Sequence, residues 1–160
     1  MPARRPGPHA AAAGLGDPYD GRMSESRAIG LAGATGAFLL DAALVVVFAT
    51  IGRGSHAEGL DVTGIWGTAW PFVAGLALGW LAARAWRTPL AVWPTGVVVW
   101  AGALVGGMLL RVATGDGAAP AFVIVAALTL ALLLLGWRVV AQLLLRLRSR
   151  QHRPVEADAQ

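Results

Sequence analysis

Four stretches of this chain, residues 28–52, 62–83, 88–110 and 119–137, are each about 20 residues long and, with one exception, free of charge. A helix rising 1.5 Å per residue needs ~20 residues to cross the ~30 Å of hydrocarbon in a bilayer. A helix is also one of only two structures that satisfy their own backbone groups there. The pattern therefore predicts an all-α integral membrane bundle of four transmembrane helices, with spans at about 30–51, 66–84, 91–111 and 119–138. Residues 1–27 are expected as a disordered tail, 28–140 as the membrane domain and 141–160 as a basic tail. Hydrophobic residues make up 56% and charged ones 14%, against ~25% charged in soluble domains. No soluble domain fits beside four spans.

The net charge of +4 is carried by 13 arginines, with no lysine. A pI near 11.3 invites a nucleic-acid partner, but the arginines fall in loops and tails and form no face on a soluble domain. Nucleic acid is rejected on that ground. The absence of cysteine excludes disulfides, thiolate catalysis and cysteine-ligated metals. No cleavable signal is expected, because the first apolar run follows nearly 30 residues of Pro-, Ala- and Gly-rich tail. Met23 is an alternative initiator leading straight into the first span.

Arginine placement predicts topology. Eleven arginines lie in the two tails and the second loop, and only Arg53 and Arg111 lie in the first and third loops. Positive charge is retained on the cytoplasmic side, so both termini are expected there, in a multi-pass protein of the cytoplasmic membrane. Pro71, Pro94 and Pro120 each lie near the start of a stretch, where a missing N–H costs nothing. Trp66, Trp70, Trp86, Trp93 and Trp137 sit near stretch ends, as expected of interfacial indoles. Beyond residue 138, leucines alternate with Arg146 and Arg148, which predicts an interfacial helix meeting anionic lipid headgroups.

The exception to the charge-free rule is Asp41. A mid-helix Asp costs ~2.5–3.5 kcal/mol to insert, whereas the ten Leu, Ile, Phe and Val residues between Leu31 and Ile51 return roughly 3–6 kcal/mol. Insertion is favoured only if neighbouring helices shelter the acid. Gly30, Gly33, Ala34 and Ala37 lead to Asp41 at steps of three and four, so it should face the interior. Gly75, Gly79 and Ala83 on the second span, and Gly102 and Gly106 on the third, form similar small-residue stripes. Their first use is packing within the chain; a homo-oligomer is the second. The Leu-rich fourth span should be more lipid-exposed than the others. An echo at an offset of 60 (Thr35-Gly36 with Thr95-Gly96, Ala43–Val45 with Ala103–Val105) hints at a duplicated hairpin.

Counting residues along antiparallel helices places Asp41 near the levels of Trp100 and Thr129, either of which could donate to it. Asp41 is then a proton-relay or cation-binding acid, or a neutral acid that fixes packing through hydrogen bonds. A second group, Arg53, Ser55, His56, Glu58 and Asp61 with Arg111 and Asp116, is expected at the outer surface. It forms either a pocket for a small anion or ordinary ion pairs at helix ends. The spacing of His56, Glu58 and Asp61 matches no metal motif, and no cofactor is expected. Adjacent Ser55 and His56 cannot act as nucleophile and base, and no phosphate loop is present. A non-enzymatic protein is expected.

Asp41, then Gly52-Arg53-Gly54-Ser55-His56, Pro71-Phe72, Trp100, Leu110-Arg111, and Phe122 through Gly136-Trp137-Arg138 occur in an order that resembles the prokaryotic membrane family catalogued as domain of unknown function 3054. The resemblance spans residues 39–140. It implies a small multi-pass membrane protein and carries no activity with it. Two functional classes follow: a protein that moves or senses a proton or small solute through Asp41 and the Arg53/His56/Arg111 group, with Trp100 and Thr129 in support, or a structural or assembly protein in which these residues only lock the helices. The partners expected are the lipid bilayer, anionic headgroups at the C-terminal tail and a second copy of the chain.

Overall fold

A computed structural model describes residues 18–54 and 61–151, and they form four long helices. These are α1 (Pro18–Gly54), α2 (Val62–Ala83), α3 (Val92–Ala113) and α4 (Pro120–Gln151). All four contain a segment long and apolar enough to cross a membrane, in α1 beginning at Gly30. Residues 18–27, assigned to the tail by sequence, are helical, and α4 continues to Gln151 as one helix with the fourth span. The helices alternate in direction. Phe48 stacks edge-on against Phe72 at 5.1 Å while Phe38 meets Trp80 at 5.3 Å, so α1 and α2 are antiparallel. One end of the bundle carries the turn from α2 to α3 and is here called the turn end. The other carries Arg53 and Arg111.

The glycine stripes of α2 and α3 are packed against each other. A β-carbon on Gly75 would lie 2.6 Å from the Gly102 carbonyl oxygen, and one on Gly106 would lie 2.8 Å from the Gly75 Cα. One on Gly102 would meet the Gly79 Cα at 2.5 Å. The two backbones touch, as lipid-embedded helices do when no hydrophobic force drives them together. At this contact α3 widens into a π-helical turn over Gly102–Gly106. The interior is completed by Val45, Phe48, Phe72, Leu76, Val99, Leu130 and Leu134.

Several sequence expectations need correcting. On α1 the buried stripe is Ala34, Ala37, Asp41, Val45 and Phe48, whereas Gly30 and Gly33 are exposed with nothing near them. The buried stripe begins only at Ala34, and a β-carbon on either glycine would meet nothing within 4 Å. Pro71 lies inside α2, because that helix starts at Val62 and not near residue 66. The fourth span, expected to be the more lipid-exposed one, has Leu128 and Leu132 exposed while Ala126, Leu130 and Leu134 form a fully buried stripe. The two halves of the sequence echo also differ in environment, with Thr35 exposed and Thr95 buried.

Asp61 caps α2, accepting from the Gly64 amide at 2.8 Å and from the Thr63 hydroxyl. The Thr63 hydroxyl foremost, then the Gly64 amide, hold its carboxyl below its ordinary value, with a smaller pull from Arg53. A depressed carboxylate stabilises above its unfolded pKa and loses that contribution as pH falls through the folded one. The cap is therefore complete at neutral pH and fails only in acid.

Two outcomes are expected. Gly79→Leu or Gly102→Leu should lower the unfolding temperature in detergent by many degrees, while Gly36→Leu, which meets nothing, should leave it unchanged. Hydrogen exchange at the Gly64 amide should accelerate in Asp61→Ala at neutral pH, and in the unaltered chain only under acid conditions.

Candidate functional site

Asp41 is fully buried, and the reason is the fourth helix. The stripe Ala126, Leu130, Leu134 repeats every four residues and ends on Arg138, whose side chain is also fully buried. The Arg138 guanidinium meets the carboxylate as a fork: Nη1 donates to Oδ1 at 2.9 Å and Nη2 to Oδ2 at 2.6 Å. Two indoles complete the shell. Trp137 Nε1 donates to Oδ1 at 2.8 Å and Trp80 Nε1 to Oδ2 at 2.9 Å. Each oxygen thus receives two donors, which uses the full acceptor capacity of a carboxylate.

Arg138 is held as closely as it holds. Its Nη1 also donates to the Leu134 carbonyl at 2.7 Å, and its Nε to the Pro89 carbonyl at 3.1 Å. The guanidinium carbon lies 4.7 Å from the Trp137 ring, within cation–π range. Its stem packs where Gly96 has no side chain; a β-carbon there would sit 3.0 Å from Arg138 Cδ. One turn on, Gln142 donates to the Leu90 carbonyl at 2.9 Å. Four helices and the turn at residues 89–90 therefore converge on one ion pair.

This geometry corrects the partners inferred for Asp41. Trp100 donates to the Ala127 carbonyl at 3.0 Å, and Thr129 is half-buried without touching the acid. The depth count failed because it took the spans to be level with one another, and axial offsets between helices break that assumption. In the structure α1 runs to Gly54, and Asp41 lies opposite Trp80, close to the turn end. Trp137 was assigned to the interface and Arg138 to the basic tail; both face inward. Trp66, Trp86 and Trp93 are exposed near helix ends, as expected. The missed signal was legible: Arg138 lies four residues beyond Leu134 on the same stripe, as Asp41 lies four beyond Ala37.

At the opposite end, Arg53 and Arg111 line a cleft of about 300 Å³ with Phe48, Thr68, Gly117 and Phe122. The Arg53 side chain lies over Gly64, with Nη2 3.5 Å from Asp61 Oδ1. Arg111 sits 4.9 Å above the Phe122 ring. Its Nη1 is 3.7 Å from Asp116 Oδ2 and its Nη2 3.4 Å from the Gly117 carbonyl, both long contacts. Its Nε is buried and has no hydrogen-bond partner among the described residues. The structure thus brings Arg53 and Arg111 together and keeps them far from Asp41. His56, Ser55 and Glu58 lie outside the described residues. Among the described residues no group of three or more metal-ligand side chains occurs.

Comparison with curated proteins and with solved structures gave no match. A family model does match over residues 38–141, which takes in Asp41, Trp80, Arg111, Trp137 and Arg138 and nearly all of the four spans. On that match the chain belongs to the family described as protein of unknown function (DUF3054).

Proposed function

We propose that this is a non-enzymatic multi-pass protein of the cytoplasmic membrane in which Asp41 locks the helices and is not part of a proton relay. One observation carries the reading: among the described residues the carboxylate is met only by donors, four of them, from Arg138, Trp80 and Trp137. A relay acid needs a neighbour that gives up or accepts a proton. Arginine does neither in a protein, and an indole N–H only donates. The pair instead ties α1 to α4 and, through Trp80 and Pro89, to α2 and the turn.

Orientation follows from the remaining arginines. Removing Arg138 from the count leaves ten against two, which still favours cytoplasmic termini and puts the Arg53/Arg111 cleft outside. Beyond Arg138, Arg146, Arg148 and Arg150 project from α4 among exposed leucines, a pattern suited to anionic headgroups. The exposed glycine face of α1 is the surface on which a second copy would pack. A second reading, reception of a small solute at the outer end, is favoured by the two arginines gathered at one cleft.

Asp41→Asn leaves a buried guanidinium without a counter-charge, which costs ~3–5 kcal/mol when one partner of a buried pair is lost. It should lower the unfolding temperature sharply, and Asp41→Leu combined with Arg138→Met should recover much of the loss. If Asp41→Asn were as stable as the unaltered chain yet abolished a pH-dependent phenotype, the lock reading would give way to the proton reading. Because the chain has no cysteine, orientation can be read by single substitutions. Gly117→Cys should react with an impermeant maleimide on intact cells, and Ser149→Cys only after lysis.

A further inference from the structure

We propose that the cleft between Arg53 and Arg111 binds a small organic oxyanion, with a carboxylate or phosphate head on an apolar group. This deepens the second reading above and rests on it; it does not depend on the role of Asp41.

The cleft has two chemically distinct parts. Its floor is aromatic: Phe48, Phe72 and Phe122 pack edge to face, with Phe48 and Phe122 lining the space. Its rim is cationic, and the cations are mostly buried, with Arg53 at 14% and Arg111 at 16% side-chain exposure. A pocket that is apolar at the base with a few convergent polar groups is the usual form of a small-molecule site. At about 300 Å³ it lies at the small end of the range for such sites, ~300–1,000 Å³.

Arg111 identifies the head group. Its two terminal nitrogens make only long contacts, one to the half-exposed Asp116 and one to a carbonyl. Among the described residues nothing accepts from its buried Nε, and an unpaired buried donor is rare enough to need an explanation. Guanidinium Nε and Nη together form the fork that fits the two oxygens of a carboxylate or phosphate. An anion seated there satisfies Nε and replaces the long contacts with short ones. Asp116, at 50% exposure, can turn to solvent at little cost, because exposed pairs contribute little, while Asp61 stays on its helix cap. The Phe48 and Phe122 side chains that line the cleft take the apolar part of the ligand.

The oxyanion is either a free molecule or the headgroup of an anionic lipid, and the test separates them. The full chain is placed in phosphatidylcholine nanodiscs, and its unfolding is followed with benzoate, phenyl phosphate or the neutral isostere benzamide at constant ionic strength. Benzoate and phenyl phosphate should raise the midpoint by ~2 °C or more, as mass action requires for a ligand of the folded state alone; benzamide should not. Arg111→Gln should abolish the rise. Ala119→Phe, which fills the cleft from an exposed position without touching charge, should abolish it while leaving the unliganded midpoint near normal. In phosphatidylglycerol nanodiscs, a free-anion ligand gives the same rise. A headgroup ligand instead raises the starting midpoint and removes the response to benzoate, and both variants erase that increase. No anion-dependent stabilisation in either lipid, an equal response to benzamide, or a response that survives both variants would overturn the proposal. None of these outcomes bears on the lock at Asp41, which stands or falls on the Asp41→Asn measurements.

Discussion

The contact between Asp41 and Arg138 organises the fold. A lone carboxylate on the first span is expensive in hydrocarbon, and so is a lone guanidinium inside the fourth. Together they form a two-pronged pair that also satisfies two indoles and two backbone carbonyls. Such a pair is not a source of large net stability, because desolvation offsets most of the attraction. On the reading proposed above, its value lies in specificity, since these contacts tie α1, α2, α4 and the turn at residues 89–90 to one another. Helices that otherwise present leucine and valine to lipid have few other reasons to prefer one rotation over another.

The glycine contact between α2 and α3 performs the complementary task. It is apolar, short-ranged and depends on backbone approach, with Gly75 and Gly79 set against Gly102 and Gly106. Close approach maximises dispersion where the hydrophobic effect is absent. The ion pair sets the rotation of the first and fourth helices, and the glycine seam sets the spacing of the middle two. The end opposite the turn is free of both constraints. There the helices part around Arg53 and Arg111, so the polar chemistry of the chain is divided between a closed cluster and an open cleft.

That division explains which parts of the site were legible in the residues. Asp41 was found at once, because one acid in a 25-residue apolar run cannot be overlooked. Its partner was missed because an arginine at the end of a span looks like an anchor, and positive-inside counting rewards that assignment. A four-residue extension of the Ala126–Leu130–Leu134 stripe leads to Arg138, but its burial shows only when four helices are packed. Arg53 and Arg111 were grouped from topology alone, since both follow outward-running spans in the proposed orientation. Their shared cleft, and the unsatisfied nitrogen within it, required coordinates.

By itself the sequence determined that there are four stretches long and apolar enough to span a membrane, that the second and third carry glycine stripes suited to close packing, and that Asp41 faces inward. Each of these follows from local properties: hydrophobic length, side-chain volume and the spacing of one helix turn. The tertiary structure alone decided what Asp41 faces, which tryptophans leave the interface, and which glycines stay unpacked. Those outcomes depend on the relative rotation and axial offset of separate helices. A shift of one turn between helices moves a side chain by 5.4 Å, enough to exchange Trp100 for Trp80 as a partner, and no periodicity within a single helix records that offset.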